Sequence, residues 1–325
     1  MNNKLTFLFS GQGSQYFGMG GEMLATNQTF RRWMTKLEVQ VRDRTGSSVL
    51  EILHKPGREK GEAFVRTSIS HPALFMVQYS LAQVVMELGI LPDFVLGTSL
   101  GEFVAAAVSG AMGFEEALDA VIDQALCLET SCPRGGMVAI LNGPELFWNT
   151  ELCRLSELAG VNFKRHFVVA AAQERSGEIS RFLDAREVQH ILLQVSFPFH
   201  SSFIDPAESA FLKCIESLAW VRPSLPWLSC ARCEWLDEVP REYLWEVVRR
   251  PMHFERAIAV LESMGDGMDY LDLGPSGTLA MFVKYNLSKT SSSRFFPILT
   301  PFGRDREGLE RAVASLLASN QVPVN

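Results

Sequence analysis

VLGTSLGEF, residues 95–103, sets a serine between two glycines, behind an apolar run and ahead of an alanine-rich segment. Gly97-Thr98-Ser99-Leu100-Gly101 fits G-x-S-x-G, the pattern of a sharp strand-to-helix turn that lifts a serine hydroxyl clear of the backbone. Glycines suit such a turn because a Cβ on either flank would clash and because glycine tolerates φ values closed to other residues. The pentapeptide equally fits an ordinary helix start with Ser99 as N-cap, so its neighbours must decide. Residues 94–96 read as a buried strand and 101–108 as a helix, flanked by helical patterns at 72–89 and 114–127. Strand, turn and helix in that order are the context a nucleophilic serine requires.

Outward from this block, residues 5–10 form an apolar run that ends in Gly11-Gln12-Gly13, a buried strand leading into a glycine loop. Between 136 and 195 the texture changes. Strand patterns at 137–141, 167–172 and 191–195 alternate with helical stretches at 145–158 and 176–186, which predicts a small α+β insertion. Helices then follow at 207–218, 243–248 and 253–264, a strand at 270–273, the turn Gly274-Pro275-Ser276-Gly277, a strand at 295–299 and a helix at 306–317. No internal repeat is present.

The chain has 325 residues, 47% hydrophobic and 21% charged, enough for a large core. Its net charge of −7 offers no basic stripe for a phosphate backbone, which argues against nucleic acid as partner. A strongly acidic partner would need a local basic patch, for which Arg241, Arg249, Arg250 and Arg256 are the candidates, against the plainer reading of a solvated helix face. No apolar run reaches the roughly 18 residues of a membrane span, and the opening MNNKLTFLFSGQG lacks a signal-peptide cleavage site. A cytoplasmic, monomeric protein is expected. Six scattered cysteines suggest reduced thiols. Cys230-Ala231-Arg232-Cys233 has no second pair or histidine cluster to complete a zinc site, and neither a metal nor a cofactor is expected.

FLFSGQGSQYFGMG at 7–20, GTSLGE at 97–102, GGMVAIL at 135–141, FPFHSSFIDP at 197–206 and LDLGPSGTL at 271–279 resemble, in order and over nearly the whole chain, the malonyl-CoA:acyl carrier protein transacylases and polyketide synthase acyltransferases. The resemblance implies an α/β fold: an α/β-hydrolase-like large subdomain, 1–130 and 196–325, interrupted by a ferredoxin-like small subdomain, 131–195. It implies Ser99 as nucleophile and His200 as general base, roles that suit a weak hydroxyl activated by an imidazole. On its own residues, His200 also fits a satisfied core histidine. The backbone N–H groups of Gln12 and Leu100 match the family's oxyanion hole. A main-chain carbonyl near Pro251 is implied to orient the histidine; the glutamine that usually accompanies it aligns with Val247, which is therefore expected to serve through its carbonyl alone.

Three departures bear on substrate. Thr98 stands where the family's elbow has histidine, and Ala170-Ala171-Ala172-Gln173 where its small subdomain carries asparagines. The arginine that pairs with a malonyl carboxylate is replaced by Gln124, which offers one neutral donor instead of a two-pronged charged one. Arg134 falls after Pro133 in the crossover and is a poor substitute.

The chain is accordingly most similar to the free-standing acyl hydrolases of polyketide synthases that lack built-in acyltransferases. The expected substrate is an uncharged acyl group on the phosphopantetheine of an acyl carrier protein. The alternative is an acyltransferase that loads malonyl or another acyl unit from acyl-CoA onto a carrier, supported by Phe199, which resembles the malonyl-type selectivity motif. A non-catalytic carrier-binding module is disfavoured by retention of Ser99, His200 and the glycine loop together.

Overall fold

The computed structural model describes residues 3–148, 150–265 and 267–320. Ten strands are present among them: β1 Lys4–Phe9, β2 Phe94–Gly97, β3 Gly135–Ile140, β4 Glu157–Phe163, β5 His166–Ala172, β6 His190–Leu192, β7 Trp227–Leu228, β8 Met252–His253, β9 Met268–Asp272 and β10 Arg294–Pro297. They form two five-stranded sheets, ordered β10-β9-β1-β2-β7 and β6-β3-β5-β4-β8.

Every pairing in the first sheet is parallel. Such sheets are covered on both faces, so their strands read as near-continuous apolar runs. β1 does: KLTFLF has five of its six residues buried. Phe7 and Phe9 join one core, with Phe75, Val95 and Phe103, whereas Leu8 points to the other, with Leu96, Tyr270 and Phe254. That is the period-two alternation of a strand between two layers. Helix Thr67–Glu87 runs through the first core and is buried on every side, polar residues included. Each polar side chain in it therefore needs a partner or a purpose.

The second sheet is a ferredoxin-like subdomain. Helix Leu152–Leu155 connects β3 to β4 and helix Ser176–Asp184 connects β5 to β6, and the four strands lie in the spatial order 4-1-3-2. β8, from the large subdomain, pairs in parallel with β4 and joins the two bodies. The molecule is thus an α/β-hydrolase-like subdomain carrying a ferredoxin-like one, as the sequence implied.

The sequence reading of a helix over 145–158 fails. Only a 3-10 turn at Pro144–Leu146 and one helical turn at Leu152–Leu155 precede β4. ELAGVNF pairs instead with HFVVAAA across a two-residue turn, with register shifts at Leu158/Gly160 and Val161/Phe163. Cross-strand packing outweighs the local preference of such a segment. Helix Gln28–Thr45 was not anticipated, although the Asn27 side chain caps it and Gly46 ends it at φ 67°. Among the described residues, no helix is long and apolar enough to cross a membrane.

Candidate active site

Ser99 follows β2 and precedes helix Gly101–Val108. Its φ is +54°, the left-handed region that a non-glycine residue enters at a cost of about 1 kcal/mol. The flanking glycines serve close approach. A Cβ on Gly101 would lie 2.0 Å from the Phe9 carbonyl oxygen, and one on Gly97 would lie 2.4 Å from the Glu102 nitrogen. Behind the turn, the fully buried Glu102 carboxyl accepts from Trp227 Nε1 at 2.6 Å and from the Cys230 backbone N–H at 2.7 Å, tying the elbow to β7. Burial pushes its pKa up to about 8 against those hydrogen bonds.

His200 lies beyond Phe197-Pro198-Phe199, and both phenylalanines are buried. Its Nε2 is 2.9 Å from Ser99 Oγ, and its Nδ1 is 2.8 Å from the Arg250 carbonyl oxygen. A carbonyl only accepts, so Nδ1 carries the proton and Nε2 presents its lone pair to the serine hydroxyl. Burial holds the imidazole pKa down at about 4, so the ring is neutral near pH 7. The orienting carbonyl is therefore that of Arg250, not Val247. Val247 lies within helix Tyr243–Arg249, while the extended residue at its end, Arg250, turns its carbonyl toward the histidine. The neighbouring Val248 carbonyl accepts the His200 backbone N–H at 2.9 Å.

The glycine loop after β1 is held against the same serine. Gln78 brackets Ser10, its Oε1 accepting from the Ser10 N–H at 2.6 Å and its Nε2 donating to the Ser10 carbonyl at 3.0 Å. A Cβ on Gly11 would stand 2.7 Å from Ser99 Cβ. The Gln12 and Leu100 backbone N–H groups have no acceptor among the described residues. Two free donors flanking a serine are the arrangement that receives an oxyanion.

A cavity of about 350 Å³ opens over Ser99 and His200, between the large sheet's carboxyl-terminal edge and one face of the small sheet. Met137, Ala139 and Val168 supply an apolar wall, Phe199 and Phe282 aromatic ones, and among the described residues the lining contains no Lys, Arg, Asp or Glu side chain. Gln124 is buried but does not line this cavity. Its Oε1 meets His71 Nδ1 at 3.1 Å, and the His71 ring is tilted against Phe199 at 5.6 Å. Burial lowers the His71 pKa to about 4, which leaves a neutral pair behind the phenylalanine. Arg134 lies over the Phe197 ring at 5.0 Å.

A family model described as the acyl transferase domain matches residues 6–315. The chain belongs to that family. It is an enzyme acting on acyl thioesters. It is 42% identical over 310 residues to a polyketide biosynthesis acyltransferase homolog, PksD, of Bacillus subtilis, covering 95% of each chain. It is 40% identical to the homolog BaeD of Bacillus velezensis, covering 98% of each. Among solved structures, the acyltransferase domain from the second module of the salinomycin polyketide synthase superposes with a TM-score of 0.86 at 28% identity, over 99% of this chain and 77% of that one. FabD from Acinetobacter baumannii shares the fold, with a TM-score of 0.82 at 22% identity over 98% of this chain and all of that one.

Two cavity residues escaped the sequence reading of this acyl transferase domain. Asn162 and His166 both line the cavity, and Asn162 Nδ2 donates to His166 Nδ1 at 3.0 Å. The ring proton of neutral His166 is thereby placed on Nε2. The signal lay in period two: His166 and Val168 share a face of β5, and both face the cavity.

Proposed function

We propose that this acyl transferase domain is a cytoplasmic acyl hydrolase of polyketide biosynthesis, which removes uncharged acyl groups from acyl carrier protein thioesters. The observation that carries the reading is that no Lys, Arg, Asp or Glu side chain among the described residues lines the Ser99 cavity. A malonyl carboxylate brought there would lose its hydration without gaining a counter-ion, at a cost of several kcal/mol. The relatives named as polyketide biosynthesis acyltransferase homologs support the polyketide setting of this reading.

In this reading Ser99 Oγ attacks the thioester carbonyl carbon as His200 Nε2 takes the hydroxyl proton, and the Arg250 carbonyl steadies the imidazolium through Nδ1–H. The Gln12 and Leu100 N–H groups hold the negative oxygen. Collapse of the adduct breaks the carbon–sulfur bond, and the carrier's thiolate leaves with the proton from His200. Water, deprotonated at the same nitrogen, then attacks the Ser99 ester and releases the carboxylic acid with free Ser99.

Incubating the enzyme with carrier proteins bearing acetyl, butyryl, hexanoyl and malonyl groups and reading intact masses tests this directly. Loss of the uncharged groups to free carrier, with malonyl retained, is expected. Movement of malonyl from CoA onto carrier without hydrolysis of the others would overturn the reading in favour of transfer.

A further inference from the structure

Of the basic patch suggested by Arg241, Arg249, Arg250 and Arg256, two members are neutralised. Arg249 pairs with Asp205, and Arg250 shares Glu246 with Arg232. A different pair of cations stands at the rim of the cavity. Lys164 and Arg165 form the turn between β4 and β5, both exposed, and neither has an ion-pair, hydrogen-bond or ring partner among the described residues. On either side of them, Asn162 and His166 already belong to the cavity wall.

We propose that this hairpin tip is the site for the phosphodiester of the carrier protein's phosphopantetheine arm, with Lys164 and Arg165 as its ligands. The inference rests on the hydrolase reading above. An arm whose thioester reaches Ser99 must leave its phosphate outside the cavity, since the wall offers an anion no countercharge. On a chain of net charge −7, a phosphate is repelled overall and needs local cations. The hairpin is held in place to provide them. Phe163 stacks on Tyr285 at 4.7 Å, and Asn286 Nδ2 donates to the Asn162 carbonyl at 2.8 Å, so the tip is clamped to helix Thr278–Asn286. One residue inward, His166 Nε2–H is a donor on the wall, suited to an amide carbonyl of the same arm.

The test compares butyryl-phosphopantetheine with butyryl-pantetheine, which lacks only the phosphate, in wild type and in the Lys164→Ala/Arg165→Ala protein. Wild type should favour the phosphorylated thioester in kcat/KM by about fivefold to thirtyfold, an advantage that shrinks as salt is raised, and the ratio should fall toward one in the variant. A Lys164→Glu/Arg165→Glu protein should push the ratio below one. A ratio near one in wild type, or the same ratio in all three proteins, overturns the assignment. So does a loss seen on butyryl-CoA but not on butyryl carrier protein, which would make the tip a CoA site. If wild type hydrolyses none of these thioesters, the hydrolase reading fails separately, and calorimetry with phosphopantetheine then judges the tip: binding that the double substitution weakens sustains it, and absence of binding overturns it.

Discussion

Ser99 and His200 meet at 2.9 Å, Oγ to Nε2, although both stand at positive φ, 54° and 61°. Of the five non-glycine residues at positive φ among the described residues, these two are held together by their surroundings where chemistry is expected. Replacing the serine separates strain from function. Ser99→Ala and Ser99→Gly should both abolish acyl adducts in intact-mass spectra. Ser99→Gly should be the more stable of the two by about 1 kcal/mol, because only glycine occupies that φ without cost. Urea denaturation of both proteins measures the difference; equal stabilities would mean the elbow is not strained.

Activity should tolerate acid better than an ordinary imidazole allows. The base must be neutral, and burial lowers the His200 pKa from 6.5 to about 4. The acid limb of kcat/KM should therefore fall near pH 4 to 5, leaving the profile flat from pH 6 to 7. Stability follows the same sign: the unfolded state takes up the proton more readily, so the contribution of buried neutral His200 and His71 is complete above 6.5 and is lost as pH falls toward 4. An acid limb centred near 6.5 would show that His200 is not buried in the working enzyme.

Glu102 should act in the opposite direction. Its pKa is raised from 4.5 to about 8, so the folded state binds the extra proton, and the stabilisation is complete below 4.5 and lost as pH rises through 8. Glu102→Gln keeps an acceptor for Trp227 and removes the titration. Wild type should show a decline in Tm between pH 4.5 and 8 by scanning calorimetry, and the variant should lose it.

What was legible in the sequence was contiguous. The elbow, the glycine loop and the histidine each sit in a short run whose local pattern dictates local geometry, and the structure brings Gln12, Ser99 and His200 around one cavity, with Leu100 next in the chain after the serine. What was missed depends on where a chain turns. The carbonyl facing His200 lies three residues past Val247 because helix Tyr243–Arg249 ends only there. Asn162 enters the cavity because β4 carries register shifts, which no alternation count over ELAGVNF reveals. Gln124 was read as facing the acyl group. Its partner His71 is 53 positions away in sequence, and nothing near either residue announces the pair.

That pair sets the last prediction. His71 Nε2 is buried without a hydrogen-bond partner among the described residues, and His71 and Phe199 link Gln124 to the cavity. Gln124→Arg would place a guanidinium beside a neutral imidazole in an apolar core, so stability should fall by about 1–3 kcal/mol, measurable in urea. If Phe199 yields to let the arginine face the acyl group, the forked donor should raise the malonyl-to-butyryl ratio of kcat/KM by roughly tenfold to a hundredfold. Adding His71→Gln supplies an amide that can accept from the guanidinium, and it should recover part of the stability while keeping the altered ratio. A destabilised protein with an unchanged ratio would mean that Phe199 seals the pair from the substrate. The preference for uncharged acyl groups would then rest on the uncharged cavity wall alone, and not on the exchange of arginine for Gln124.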